Sequence, residues 1–195
     1  MTIWFTSDPH FFHENILIYD KRPFKDVIEM NQFIIEGWNS VVKDDDIVYI
    51  LGDFGLTSLP NMRDILGLLR GKKVLILGNH DRHSRSSYYK VGFYLVLDEA
   101  TLKIGKTMFK LSHYPYRESK FKQWWHKVRT GKNYYYINRC RPTKGIEGWL
   151  LHGHIHSGAV KINRKKKEIH VGCYLWDYKP ININQINSLI HEDVV

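Results

Sequence analysis

Between residues 2 and 7, 47 and 51, and 74 and 77 the chain passes through short β-type runs. Each stops at a polar cluster: Asp8-Pro9-His10, Gly52-Asp53 and Gly78-Asn79-His80-Asp81. Apolar runs of this length, bounded by turn-forming residues, predict strands. Phe109 to Ser112 before His113, and Trp149 to His152 before Gly153-His154-Ile155-His156, repeat the layout. Elsewhere the period changes. Val27, Met30, Ile34, Trp38 and Val41 recur every three or four residues and predict a helix over about 26–42 with one core-facing stripe. Met62, Ile65, Leu66 and Leu69 predict a second helix over about 60–69, with Gly71 placed to end it. Strands are expected at 93–97, 101–104, 106–111, 149–152, 159–162 and 168–171, with turns at Gly105 and Asn163-Arg164. A last short helix is expected over 183–192. Early helices and late strands suit an α/β arrangement of two packed sheets flanked by helices.

The polar clusters change this from a fold prediction to a chemical one. Asp8, His10, Asp53, Asn79, His113, His154 and His156 all follow predicted strands. In α/β folds, ligands gather outside the carboxyl ends of strands, where loops leave the sheet. Carboxylate, imidazole and amide oxygen suit Mn, Fe, Zn, Ni or Co, and a donor set without Cys argues against structural zinc or an iron–sulfur cluster. With two carboxylates against two dications, such a site keeps net positive charge for a phosphate anion.

The order D-x-H, G-D, G-N-H-D, H, G-H-x-H resembles the calcineurin-like metallophosphoesterase superfamily, from Asp8 to His156 with no member missing. Phe11-Phe12-His13-Glu14-Asn15-Ile16, Arg22-Pro23-Phe24, Trp38-Asn39 and Leu51-Gly52-Asp53-Phe54 resemble its compact single-domain bacterial and phage branch. The resemblance implies a four-layer αββα sandwich of two mixed sheets flanked by helices. It also implies two divalent transition-metal ions, with manganese the first expectation. Asp8, His10 and His156 would hold one ion, Asn79, His113 and His154 the other, and Asp53 would bridge them. Such a pair lowers the pKa of a bound water toward ~7 and clamps the oxygens of an in-line displacement.

His80 is the expected group for proton transfer or charge stabilisation at the leaving oxygen, with Asp81 as the carboxylate that fixes its tautomer. The plainer alternative is that His80 packs the loop and Asp81 caps a turn. His13 and Asn15 read either as pocket-lining residues or as a packing residue behind the ligands and a helix cap. His83, His126, His152, His170 and His191 lack motif support and are expected to be surface, strand or helix residues.

Residues 116–148 hold nine of the twenty-nine Lys and Arg residues against two carboxylates, in a chain of formal net charge +9. Trp124, Trp125, Tyr134, Tyr135 and Tyr136 are interleaved with them, a mixture that attracts phosphates and stacks on bases. Flanked by expected ligands, this insertion is a candidate substrate wall, with Arg117, Lys120, Trp124, Arg139 and Arg141 as its contacts. It reads equally as a solvated basic loop. Lys165-Lys166-Lys167 fits a charged hairpin turn.

The 195 residues suit one domain, and 43% hydrophobic content is ordinary for a globular chain. No apolar stretch approaches the ~20 residues a membrane helix needs. The amino terminus enters the first strand without a signal-peptide layout, so a cytoplasmic location is expected. Cys140 and Cys173 are expected as free thiols. The expected activity is a phosphodiesterase acting on a nucleotide, cyclic nucleotide or nucleic-acid-type substrate, single-stranded nucleic acid included. The alternatives are a phosphomonoesterase or protein phosphatase, and a non-catalytic nucleic-acid- or protein-binding module on the same fold.

Overall fold

A computed structural model describes residues 1–119, 128, 140–143, 148–156 and 158–192. The first sheet is built from β1 (Ile3–Thr6), β2 (Ile47–Ile50), β3 (Lys72–Ile76) and β4 (Leu95–Leu97), all parallel, with β10 (Ile181–Asn182) antiparallel to β1. Its order is β10-β1-β2-β3-β4. The second sheet has the order β5-β6-β7-β9-β8, from β5 (Ala100–Ile104), β6 (Thr107–Leu111), β7 (Trp149–His152), β8 (Ile162–Asn163) and β9 (Glu168–His170). Here β6, β7 and β9 are parallel, while β5 and β8 run antiparallel at the edges.

Alternation along the strands divides the core in two. Trp4, Val48, Ile50 and Leu75 point to the helical side, where they meet α2 (Val27–Asn39) and α3 (Leu59–Leu68) through Met30, Ile34, Trp38, Met62 and Leu66. Phe5, Leu51 and Ile76 point the other way, against Phe109, Leu111, Leu151 and Ile169 of the second sheet. The result is two mixed sheets packed face to face and flanked by helices, as expected. Helix α2 starts at Asp26, whose side chain accepts the Glu29 N–H, and α3 starts at Ser58, which does the same for Asn61. Among the described residues, no helix is long and apolar enough to cross a membrane.

Four details differ from the sequence reading. The helix α4 (Arg85–Val91) lies in a serine-rich run that shows little periodicity; it is fixed by Ser84, which accepts the Ser87 N–H, and by Gly92 at φ 117°. The strand expected at 159–162 shrinks and shifts to β8, whose register pairs Ile162 with Ile169 and Asn163 with Glu168, while Lys161 adds only its carbonyl to the His170 N–H. The chain leaves α3 at Leu69, which is extended, so Gly71 (φ 81°) serves the turn into β3 rather than the helix end. The two-residue β10, too short to carry an alternation, leads into a final helix, α5 (Ile183–His191), whose N-cap Asn182 forms a capping box with Gln185.

Candidate metal centre

Parallel register puts the carboxyl ends of β1, β2 and β3 level, with Thr6 opposite Ile50 and Ile50 opposite Leu75. Leu111 opposite Leu151 does the same for β6 and β7. All seven candidate donors follow these ends. The exits are zipped together: the Asp8 and His10 N–H groups donate to the Gly52 and Asp53 carbonyls, and Gly153 N–H donates to His113. A short helix, α1 (Glu14–Tyr19), follows the first exit.

The backbone there is unusual. Asp8, His10, Phe12, Asp53 and His154 all adopt left-handed conformations, with φ between 53° and 70°. Each costs on the order of 1–3 kcal/mol, held only because the surroundings over-determine it. The motif glycines permit the close approach. A Cβ on Gly153 would collide with Ser7 Oγ and Asp8 Oδ2, and one on Gly78 with the Asp53 carboxylate.

Donor atoms of Asp8, His10, Asp53 and His156 lie within 4.8 Å of one another. His10 Nε2 and His156 Nε2 are 3.4 Å apart. Beside them, His113 Nε2 lies 3.0 Å from Asn79 Oδ1 and 3.2 Å from His154 Nδ1. Asp53 Oδ2 stands between the two groups, 3.8 Å from His10 Nε2 and 3.5 Å from His113 Nε2. Donors sharing a cation at about 2.0–2.2 Å sit roughly 3.0–3.5 Å apart, so these separations fit a pair of divalent ions. The outer faces of the imidazoles fix which nitrogen is offered. His113 Nδ1 donates to Leu51 O at 2.8 Å, His156 Nδ1 faces Asp20 Oδ2 at 2.7 Å, and His10 Nδ1 faces His13 Nδ1 at 3.2 Å.

Electrostatics favour unprotonated imidazoles over much of the cluster. Burial, then Arg22 and the neighbouring histidines, hold His10 well below the ordinary range. Burial, then His113 and Arg141, bring His154 down to about 3. His156 goes the other way: burial alone would lower it, but the hydrogen bond to Asp20 and the carboxylates of Asp8 and Asp20 raise it.

His80 stands at the open side, partly exposed, with Nε2 4.0 Å from Asp53 Oδ2 and its ring against those of His10 and His13. Asp81 is not its partner. The Asp81 carboxylate accepts backbone N–H groups from Asp53 and Gly78, both at 2.8 Å, and Phe54 at 3.1 Å, so it ties two loops together. Burial and the nearby Asp53 carboxylate raise its pKa. The cause is simple: three backbone N–H donors engage the Asp81 carboxylate, and the His80 ring faces Asp53 across the site. His13 is buried behind His10 rather than standing free in a pocket. Asn15 is exposed in the first turn of α1; His13 occupies the N-cap position without a side-chain cap.

The feet of the 116–148 insertion meet next to the donors. Arg117 N–H donates to Pro142 O, Tyr116 N–H donates to Glu168, and Tyr114 packs its ring on His113 and His154. The charge of Arg141 acts on both His154 and Tyr114, and its buried Nε has no hydrogen-bond partner among the described residues. Lys120, Trp124 and Arg139 lie outside the described residues.

Several contributors carry no sequence signal of their own. Ser7 Oγ lies 2.6 Å from both Asp8 Oδ2 and Leu51 O. His170, brought down to about 3 chiefly by burial, bonds Ile155 O through Nε2 at 2.8 Å and accepts the Gly172 N–H at Nδ1. With Tyr174, which also donates to Ile155 O, it supports the loop carrying His154 and His156. Asp20 and Arg22 lie behind the cluster, and only the family resemblance drew notice to Arg22.

A family model described as calcineurin-like phosphoesterase matches residues 1–186. The uncharacterized protein MJ1445 of Methanocaldococcus jannaschii is 34% identical over 199 residues, which take in 99% of this chain and 93% of that protein. The gene 66 protein of Mycobacterium phage L5 is 31% identical, across 97% of this chain and 96% of the phage protein. Among solved structures, the protein of unknown function AQ665 from Aquifex aeolicus aligns with a TM-score of 0.70 at 28% identity. The alignment covers 97% of this chain and 99% of that one.

Proposed function

Because this chain belongs to the calcineurin-like phosphoesterase family, we propose that its seven donors hold two divalent cations, manganese first among them, and that it hydrolyses phosphodiesters of nucleotide type. Nucleotides, cyclic nucleotides and single-stranded nucleic acid ends share the chemistry required. The observation that carries the reading is the convergence on Asp53 of donors from five strand ends, with His80 on the open side.

Bound cations supply Lewis-acid polarisation of the phosphoryl oxygens and neutralise charge in the displacement. The chain does the rest. Asp53 is held by the His80 N–H at Oδ1, which leaves Oδ2 facing both donor groups. His80 Nε2 is placed to give a proton to the leaving oxygen as the P–O bond breaks; the hydroxyl of a water forms the new P–O bond, and that water's other proton restores the imidazole. Arg141, whose charge acts on His154 beside the donors, is the arginine proposed to offer its guanidinium to a phosphoryl oxygen. Arg22, the other arginine at the centre among the described residues, is buried behind the loop and gives Nη1 and Nη2 to carbonyl oxygens. A diester monoanion therefore suits the described part of the site, and the basic, aromatic insertion rooted there suits a base or a second phosphate.

The test is hydrolysis of bis-para-nitrophenyl phosphate by chelator-stripped protein after manganese is restored, beside the mono-aryl phosphate. Manganese-dependent turnover favouring the diester is expected. His80→Ala should lower kcat by about 10²–10⁴-fold, and Asp53→Asn should abolish turnover. Faster hydrolysis of the monoester would make this a phosphomonoesterase. Unchanged function in both variants would leave a binding module on the same fold.

A further inference from the structure

Two of the ligand-bearing loops, at residues 8–10 and 153–156, come from different sheets and share one support. Arg22, buried, donates from Nη2 to Asp8 O and from Nη1 to Pro9 O, both at 2.9 Å. It thereby holds two carbonyls of the loop in which Asp8, His10 and Phe12 are all left-handed. The same Nη2 lies 3.4 Å from Asp20 Oδ2, and that oxygen is 2.7 Å from His156 Nδ1. A carboxylate on the outer nitrogen of an imidazole fixes its tautomer and aims the other nitrogen inward. Here it aims His156 Nε2 at His10 Nε2 and at Asp8, 3.7 Å away. Two other donors have supports of their own: His113 is set by Leu51 O and Asp53 by the His80 N–H.

We propose that Asp20 and Arg22 form a positioning clamp for Asp8, His10 and His156, setting the affinity of the cation those three hold and leaving the cation of Asn79, His113 and His154 largely untouched. The clamp rests on the two-cation reading above. It predicts asymmetry, which a merely structural pair would not produce.

The experiment titrates manganese(II) alone into stripped protein by calorimetry, with electron paramagnetic resonance recorded at each addition. The unaltered chain is expected to take up two ions and show an exchange-coupled pair. In Asp20→Ala one ion should bind as before and the other about 10–100-fold more weakly, so that an uncoupled single-ion spectrum persists past one equivalent. Asp20→Asn keeps an acceptor for His156 Nδ1–H and should recover part of the loss. Arg22→Gln should resemble Asp20→Ala if it folds; the two Asp20 variants carry the test if it does not. Equal weakening of both ions, or none of either, overturns the clamp. Failure of the unaltered chain to bind manganese overturns the two-cation reading itself, and the clamp with it.

Discussion

Gly153 shows how little room the centre leaves at the level of a single residue. Its missing side chain lets the last ligand loop lie against Ser7 and Asp8, and the His154 N–H then reaches Asp8 Oδ2 at 3.0 Å. Gly153→Ala should therefore push the loop outward and separate His154 and His156 from the other donors. At least tenfold weaker manganese binding is expected, with far-ultraviolet circular dichroism unchanged; retention of full affinity would show that Ser7 and Asp8 can yield. At this scale the gathering of the seven candidate donors was legible, because each follows the end of an apolar run that reads as a strand. Asp81 was misread for a related reason: adjacency to His80 in sequence says nothing about which way a carboxylate turns, and three backbone donors turned it inward.

At the scale of elements, hydrophobic period carried most of the information. The stripe Val27, Met30, Ile34 and Trp38 made α2 legible, and the apolar runs made β1, β2 and β3 so. Helix α4 and β10 were illegible, since the first is defined by capping and the second by pairing with Trp4 and Phe5 from a distant part of the chain. Asp20 and Arg22 have no periodic role, and their meaning arises only when residue 156 folds back beside them. Junctions between elements offer a test of stability. Asp46, just before β2, accepts Thr2 N–H at 2.6 Å, the Trp4 indole N–H at 2.9 Å and Lys43 N–H at 3.0 Å, tying β1 to the end of α2. Burial works to raise its pKa, but these bonds outweigh it and hold the carboxyl below the ordinary value. The folded state thus prefers the ionised form. Its contribution is complete above the ordinary carboxylate value of about 3.9 and is lost as pH falls through the lower folded value. Asp46→Asn should cost about 1–3 kcal/mol in urea denaturation at pH 7, with a smaller difference at pH 3. A difference that did not shrink in acid would show that the charge is irrelevant.

Over the whole molecule, each donor group draws on both sheets. Asp8, His10 and Asp53 follow strands of the first and His156 a strand of the second; Asn79 follows the first, His113 and His154 the second. Ions that bind only this assembled arrangement stabilise the fold by mass action. At a hundredfold excess over its dissociation constant each contributes about 2.7 kcal/mol, or roughly 5–10 °C in Tm for a chain of this size. Calorimetric melting should accordingly fall by that order on chelation and recover with manganese. An unchanged Tm would mean that the cluster binds no ion tightly.

The same arrangement has a consequence for time rather than for equilibrium. A cation gripped by both sheets acts as a reversible cross-link across the sandwich, and the sheets cannot part while its bonds hold. Global opening of the loaded protein is then gated by ligand exchange at the metal, so the lifetime of the native state follows how fast the bound ion leaves.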